Sequence, residues 1–248
     1  MEKMTSRQEQ KIRTQQKIVE AANTCFIRKG MAYTLITDIC EEAEVSVGTF
    51  YHYFNNKNDL IISQFKKFDM GFLEVAHRLI DNPDAWDSLI QFAHFFSRDA
   101  SVSDKTLTLE YLKARVSLTV EQLFPRNRPY FIILCTVIYN GQVRRQLRAD
   151  QTPQQLADLV MAATRGYNFD WASMDGAYDL HLRMQQDMPI LFEGFRYREE
   201  YPYQLCDPAA VIPVQNVPKL YEQETAQLRE YCESRLLSKV QDVYKRQR

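Results

Sequence analysis

The chain has 248 residues, 45% of them apolar and 25% charged, which is the balance of an ordinary globular protein with mass for one large domain or two modest ones. Its 7 glycines and 9 prolines are too few for an all-β chain, which needs frequent turns, and they favour long helices. A net charge of −1 excludes a uniformly basic nucleic-acid binder but leaves room for a local patch.

Such a patch opens the chain, where Lys3, Arg7, Lys11, Arg13 and Lys17 face only Glu2 and Glu9. No apolar run of the secretion-signal kind accompanies it, so a cytoplasmic protein is expected. From Arg13 to Lys29, the apolar positions Ile18, Ala22, Cys25 and Phe26 recur at helical spacing, and Lys29-Gly30 supplies a stop. A second short stripe, Ile36, Ile39, Cys40 and Ala43, starts beside Thr37 and Asp38 and breaks at Glu44-Val45. Ser46 is a natural N-cap for a third segment, Val47 to Phe54, in which Val47, Phe50 and Phe54 share a face. After Asn55-Asn56 a longer helix resumes near Lys57.

Further breaks fall at Asn82-Pro83, from Phe124-Pro125 to Pro129, from Asp150 to Pro153 and from Ser173 to Gly176. Proline suits the first turn of a helix beginning at Thr152-Pro153. Another helix spans about Tyr178 to Phe195, where Pro189 is a candidate kink. Pro202, Pro208, Pro213 and Pro218 then mark a linker-like stretch, and a polar helix over about Lys219 to Val240 is expected. The most apolar run, Tyr130 to Tyr139, is too short to cross a bilayer, so no membrane association is expected. Five scattered cysteines, Cys25, Cys40, Cys135, Cys206 and Cys232, contain no CxxC and suit a reducing compartment.

The three short helices of residues 13–54 carry the function. The second and third are too short to stand alone in water, and Phe26, Ile39, Val45, Phe50 and Phe54 can give them one shared core. That pattern is a helix-turn-helix, whose third helix enters the DNA major groove. Its outward side presents Ser46, Gly48, Thr49, Tyr51 and His52. The missing side chain at Gly48 lets the backbone approach DNA. Thr49 offers a hydroxyl to base or phosphate and a methyl to thymine, and Tyr51 and His52 can reach phosphates or base edges. Lys57 adds a point charge beside the same backbone.

The stretch ITDICEEAEVSVGTFYHYFNNKNDLI, Ile36 to Ile61, resembles the DNA-binding signature of the tetracycline-repressor (TetR) family. Val45, Ser46, Gly48, Thr49, Tyr51, Tyr53, Phe54, Lys57 and Leu60 match in register, and Phe26 and Gly30 match ahead of it. Cys40 stands where alanine is usual, and Glu44 stands where the family has its turn glycine. The resemblance implies an all-α protein. A three-helix DNA-binding domain would occupy residues 1–60, a helical effector-binding and dimerisation domain residues 61–196, and an extension residues 197–248. It implies DNA contacts at Thr37, Ser46, Val47, Gly48, Thr49, Tyr51, His52 and Lys57.

It further implies a homodimeric repressor on a palindromic operator, released by a small-molecule effector of unknown identity. The family's dimer bundle would use helices at about 153–171 and 178–196. Aromatic candidates for an effector pocket are Phe92, Phe95, Phe96 and Tyr111, followed by Phe131, Tyr139, Phe169 and Trp171, although such stripes also serve as core. The extension leaves open a second reading, control by a protein partner. No phosphate loop, dinucleotide fingerprint, HExxH or GxSxG is present, and His52, His77, His94 and His181 lack metal-ligand spacing. No enzymatic activity, cofactor or metal is therefore expected.

Overall fold

The computed structural model describes residues 6–102, 104–117, 126, 128–212 and 225–236. These are helical with no paired strands beyond one isolated bridge, Leu147 to Arg196. The chain divides into two compact units, Met1–Lys66 with Asp104–Leu123, and Lys67–Ser103 with Phe124–Arg248. The expected domain limits of 1–60 and 61–196 differ from this division, because a helix after residue 103 joins the N-terminal unit.

In the first unit, α1 (Ser6–Lys29), α2 (Ile36–Glu42) and α3 (Val47–Tyr53) are followed by α4 (Lys57–Ile80), whose first turns belong here. The apolar stripe of α1, Ile18, Ala22, Cys25 and Phe26, is buried against Ile39, Phe50, Phe54 and Leu60. Gly30 ends α1 at φ +78°, a left-handed conformation that costs glycine little. The helix after residue 103, α6 (Lys105–Ser117), packs on α1 and adds Leu107 to the same core. Its Glu110 accepts the Met31 N–H at 2.7 Å, which satisfies a backbone donor just past the end of α1.

The second unit contains α5 (Ala85–Val102), α7 (Pro129–Val143), α8 (Pro153–Ser173) and α9 (Leu180–Glu193). Every residue of α7 from Pro129 to Gln142 is buried, with α5 and α8 packed against it. The apolar run at Tyr130 to Tyr139 is therefore the centre of this unit, and no described helix is long and apolar enough to cross a membrane. Thr152 caps α8 by accepting the Gln155 N–H, the Gln155 side chain returns the bond, and Pro153 occupies the first turn. α9 runs on through Pro189 to Glu193.

The stretch after α9 is extended but pinned. Tyr203 donates to Gln142 O at 3.1 Å, the Arg148 guanidinium lies over the Tyr201 ring, and Pro208–Ala210 forms one 3₁₀ turn. A last helix, α10 (residues 225–236), buries Leu228, Cys232 and Leu236, while Tyr231 meets the His77 ring edge-on and bonds Asp81. The described parts of 197–248 are thus integral to the second unit. The ends of the expected last helix, 219–224 and 237–240, lie outside the described residues.

Candidate nucleic-acid interface

The turn between α2 and α3 is a helix C-cap of the Schellman type. Val45 N–H donates to Cys40 O at 3.0 Å, and Glu44 N–H donates to Glu41 O at 3.1 Å. The residue this motif places in the left-handed region is Glu44, at φ 49°. A glycine would adopt that backbone more cheaply. Ser46 then caps α3, its Oγ accepting the Thr49 N–H at 3.0 Å and lying 2.8 Å from Thr49 Oγ1.

Phe50 and Phe54 face inward and are buried, with Tyr53 half-buried beside them. The opposite side of α3 is open. Ser46, Val47, Gly48, Tyr51 and His52 are exposed, Thr49 is half-buried, and Thr37 is exposed on the first turn of α2. A Cβ built on Gly48 would meet only Ser46 Oγ, at an ordinary 3.7 Å. The fold therefore has no need of a glycine there, although mid-helix glycine costs about 1 kcal/mol relative to alanine.

Lys57 is placed differently from a free surface cation. Its half-buried ammonium donates to Met31 O and Thr34 O, both at 2.8 Å, and ties the α1–α2 loop to the start of α4. An ammonium has three N–H donors, so one remains for a phosphate.

Sequence reasoning missed the ion pairs that surround this face. Lys17 pairs with Glu44 at 2.7 Å, Arg28 with Glu42 at 3.3 Å, and Lys29 with Asp38. Hydrogen bonds from Lys29 and from the Leu35 N–H hold the Asp38 carboxyl below the usual carboxylate range, and Lys17 does the same to Glu44. Three of the four acids on α2 and its turn, which would repel phosphate, are thus matched by bases from α1. The outward pair Tyr33 and Leu35, on the loop before α2, also passed unnoticed. Leu35 is the N-cap of α2 and has no side-chain acceptor.

Residues 18–63, which hold this whole arrangement, match the family described as "Bacterial regulatory proteins, tetR family". These 46 residues are therefore similar to the DNA-binding region of that family. The chain is 41% identical over 61 residues to the HTH-type transcriptional regulator TtgR of Pseudomonas putida, a stretch covering 25% of this chain and 28% of that protein. With TetC of transposon Tn10 from Escherichia coli it shares 25% identity over 146 residues, 52% of this chain and 74% of the relative.

Among solved structures, the fatty acid degradation regulator FadR from Bacillus halodurans superposes with a TM-score of 0.62 at 19% identity, covering 79% of this chain and all of that one. NalD of Pseudomonas aeruginosa gives 0.60 at 20% identity, covering 77% and 99%. At such identities the likeness is one of fold alone.

The expected effector residues do not all come together. Phe92, Phe95 and Phe96 of α5 do come together, around Phe72 of α4 and with Phe68 and Tyr130 close by. Beside them a buried bidentate pair joins Arg128 to Asp69 at 2.9 and 3.0 Å, and Arg128 also lies over the Tyr130 ring. Phe131 and Tyr139 are buried on α7.

Three expected pocket residues lie elsewhere. Tyr111 sits in the first unit, where its hydroxyl bonds Asn23 of α1. Its neighbours in sequence hid this, because the contact spans most of the N-terminal half. Trp171 is buried at the end of α8 with its indole N–H on Tyr178 O, which is a structural role. Phe169 is 58% exposed on the outer side of α8.

Proposed function

We propose that this chain is a ligand-responsive transcriptional repressor that binds a palindromic DNA operator as a homodimer and is released by a small-molecule effector in the cytoplasm. The observation that carries the reading is the open side of α3. It is an N-capped helix whose apolar side is buried and whose outward side holds Thr49, Tyr51, His52 and an otherwise unneeded Gly48. Thr37, Ser46, Val47, Gly48, Thr49, Tyr51, His52 and Lys57 are the proposed contacts.

Dimerisation finds support on α8 and α9. Leu159, Ala162, Gly166 and Phe169 form one exposed stripe along α8, and Leu182 and Ile190 are exposed on α9, the latter by 73%. Monomeric proteins rarely leave such a face to water. A Cβ at Gly166 meets nothing within 4 Å in the chain, so the surface is open to a second copy there. Two recognition helices about 34–36 Å apart would read the half-sites of a palindrome.

Ligand response is supported by relatives of the same fold. FadR of Bacillus subtilis is described in complex with stearoyl-CoA and FadR of Thermus thermophilus with lauroyl-CoA. An effector that binds better to a form with misplaced recognition helices lowers DNA affinity by the ratio of its two affinities, without any chemistry. The extension turns the apolar side of α10 into its own unit, which favours a small molecule over control by a protein partner.

The test is an anisotropy titration of duplex DNA between 50 and 200 mM salt. Affinity should fall steeply, and Lys57→Ala should lower the slope of log K against log salt by roughly 1. A salt-independent affinity would contradict DNA binding, and an unchanged slope would remove Lys57 from the contact set.

A further inference from the structure

The loop between α1 and α2, residues 30–35, is pinned by α6, α4 and α2. Glu110 of α6 accepts the Met31 N–H at 2.7 Å. Lys57, at the start of α4, donates to Met31 O and Thr34 O, both at 2.8 Å. Thr34 is fully buried and its Oγ1 donates to Gly30 O at 2.8 Å, while Asp38 of α2 accepts the Leu35 N–H at 2.6 Å. Between these anchors stands Tyr33, 80% exposed, and its hydroxyl bonds no described residue. An aromatic ring left in water contributes nothing to the core, and a backbone already fixed by its own bonds presents a side chain to a partner at little further entropic cost. The position of Tyr33 decides what it meets. The Lys57 ammonium bonds carbonyls on both sides of it in sequence, so the Tyr33 backbone lies beside the cation whose third N–H is left for a phosphate. Thr37, another proposed contact, is exposed a few residues further on, in the first turn of α2.

We propose that Tyr33 is a further DNA-contact residue, whose phenol donates a hydrogen bond to the phosphate backbone beside Lys57. The inference rests on the DNA-binding reading above and adds to its contact set a residue of the loop ahead of α2. Phosphate oxygens are acceptors, and the phenol O–H and the ammonium N–H are both donors, so the two groups bind one phosphate or adjacent ones without competing. The acids nearest the loop are occupied: Glu110 by the Met31 N–H and Lys113, and Asp38 by the Leu35 N–H and Lys29. A phenol carries no charge, so its contact adds affinity without releasing a counter-ion. Phosphate contacts fix register without reading bases, so Tyr33 sets affinity and leaves sequence preference to α3. Leu35, 63% exposed in the same loop, has no side-chain donor to offer.

The test is an anisotropy titration of the full chain against the duplex that it enriches from random DNA, between about 50 and 200 mM salt. Tyr33→Phe, which removes the hydroxyl alone, should weaken binding about tenfold at every salt concentration and leave the slope of log K against log salt unchanged. Leu35→Ala should stay within about twofold of wild type, as expected of a side chain that makes no hydrogen bond. Selection repeated with Tyr33→Phe should return the wild-type consensus. Because Tyr33 is exposed, the variant's melting midpoint should lie within about 2 °C of wild type, which separates lost contact from lost fold. Wild-type affinity in Tyr33→Phe, equal losses in Tyr33→Phe and Leu35→Ala, or an altered consensus would overturn the contact. So would a lowered slope, which would mean that the hydroxyl acts through Lys57, or a midpoint lowered well beyond that range. Enrichment by wild type with an unaffected Tyr33→Phe removes Tyr33 alone, whereas no enrichment removes the DNA-binding reading and the contact with it.

Discussion

The Lys17 ammonium lies 2.7 Å from Glu44 Oε2, so a base of α1 holds the side chain of the one residue in the α2–α3 turn whose backbone is left-handed. Two opposing effects meet at Glu44. Its φ of 49° is strained for a residue with a Cβ, while its carboxylate gains an ion pair. The pair is solvent-exposed, and exposed pairs are worth little. Backbone strain should dominate. Glu44→Gly is expected to stabilise the N-terminal unit by about 0.5–1 kcal/mol, seen as a higher urea midpoint. A lower midpoint would show that the ion pair outweighs the strain.

Gly48 separates stability from function. Because an added Cβ has room within the chain, Gly48→Ala should stabilise α3 by about 0.5–1 kcal/mol. The same methyl group would stand between the helix backbone and DNA, so operator affinity should drop at least several-fold while the melting temperature rises. If affinity and stability increase together, the glycine has no part in DNA approach.

Gly166 tests the proposed dimer. In a monomer, Gly166→Leu fills open space on a helix and is neutral or stabilising. In a dimer packed through α8 and α9, the leucine collides with the partner. Sedimentation should show wild type as a dimer and the variant as a monomer of unchanged helicity by circular dichroism. A dimeric variant would place the interface elsewhere.

The second unit should lose stability in mild acid. The His94 ring lies 6.0 Å from that of His181, centroid to centroid, and Ser97 Oγ is 2.8 Å from His181 Nδ1. Burial and the neighbouring His181 lower the His94 pKa below its ordinary 6.5, with Asp87 acting in the opposite direction. A base with a depressed folded pKa binds its proton more readily when unfolded. The neutral ring's contribution is therefore full above about pH 6.5 and is lost as pH falls through the folded value. Melting temperatures at pH 5 and pH 8 should differ more for wild type than for His94→Gln, and an equal difference would place the acid sensitivity in other groups.

What the sequence made legible was local. The cap at Ser46, the stop at Gly30, the Thr152-Pro153 start of α8 and the inward set Phe26, Ile39, Phe50 and Phe54 all depend on residues within a turn or two, or on one periodicity. What stayed hidden was the long-range packing. Nothing near Tyr111 or Glu110 signals that α6 belongs with α1, and the Glu110–Met31 bond joins residues 79 apart. The same holds for α10, whose prolines upstream suggest a loose tether although Tyr231 and Arg235 both reach Asp81. Charges misled in a similar way. Lys57 reads as a surface cation, yet its partners are two carbonyls brought to it by the fold.

The most direct test of the account is selection of bound sequences from random duplex DNA by the full chain, with Thr49→Ala and Tyr51→Ala run in parallel. The account predicts a two-fold symmetric consensus whose half-site centres lie about one helical turn, or a multiple of it, apart. It also predicts that each substitution weakens or relaxes preference at the same positions in both half-sites. An absence of enrichment, or an enriched consensus that both variants reproduce unchanged, would contradict the claim that the outward side of α3 reads DNA.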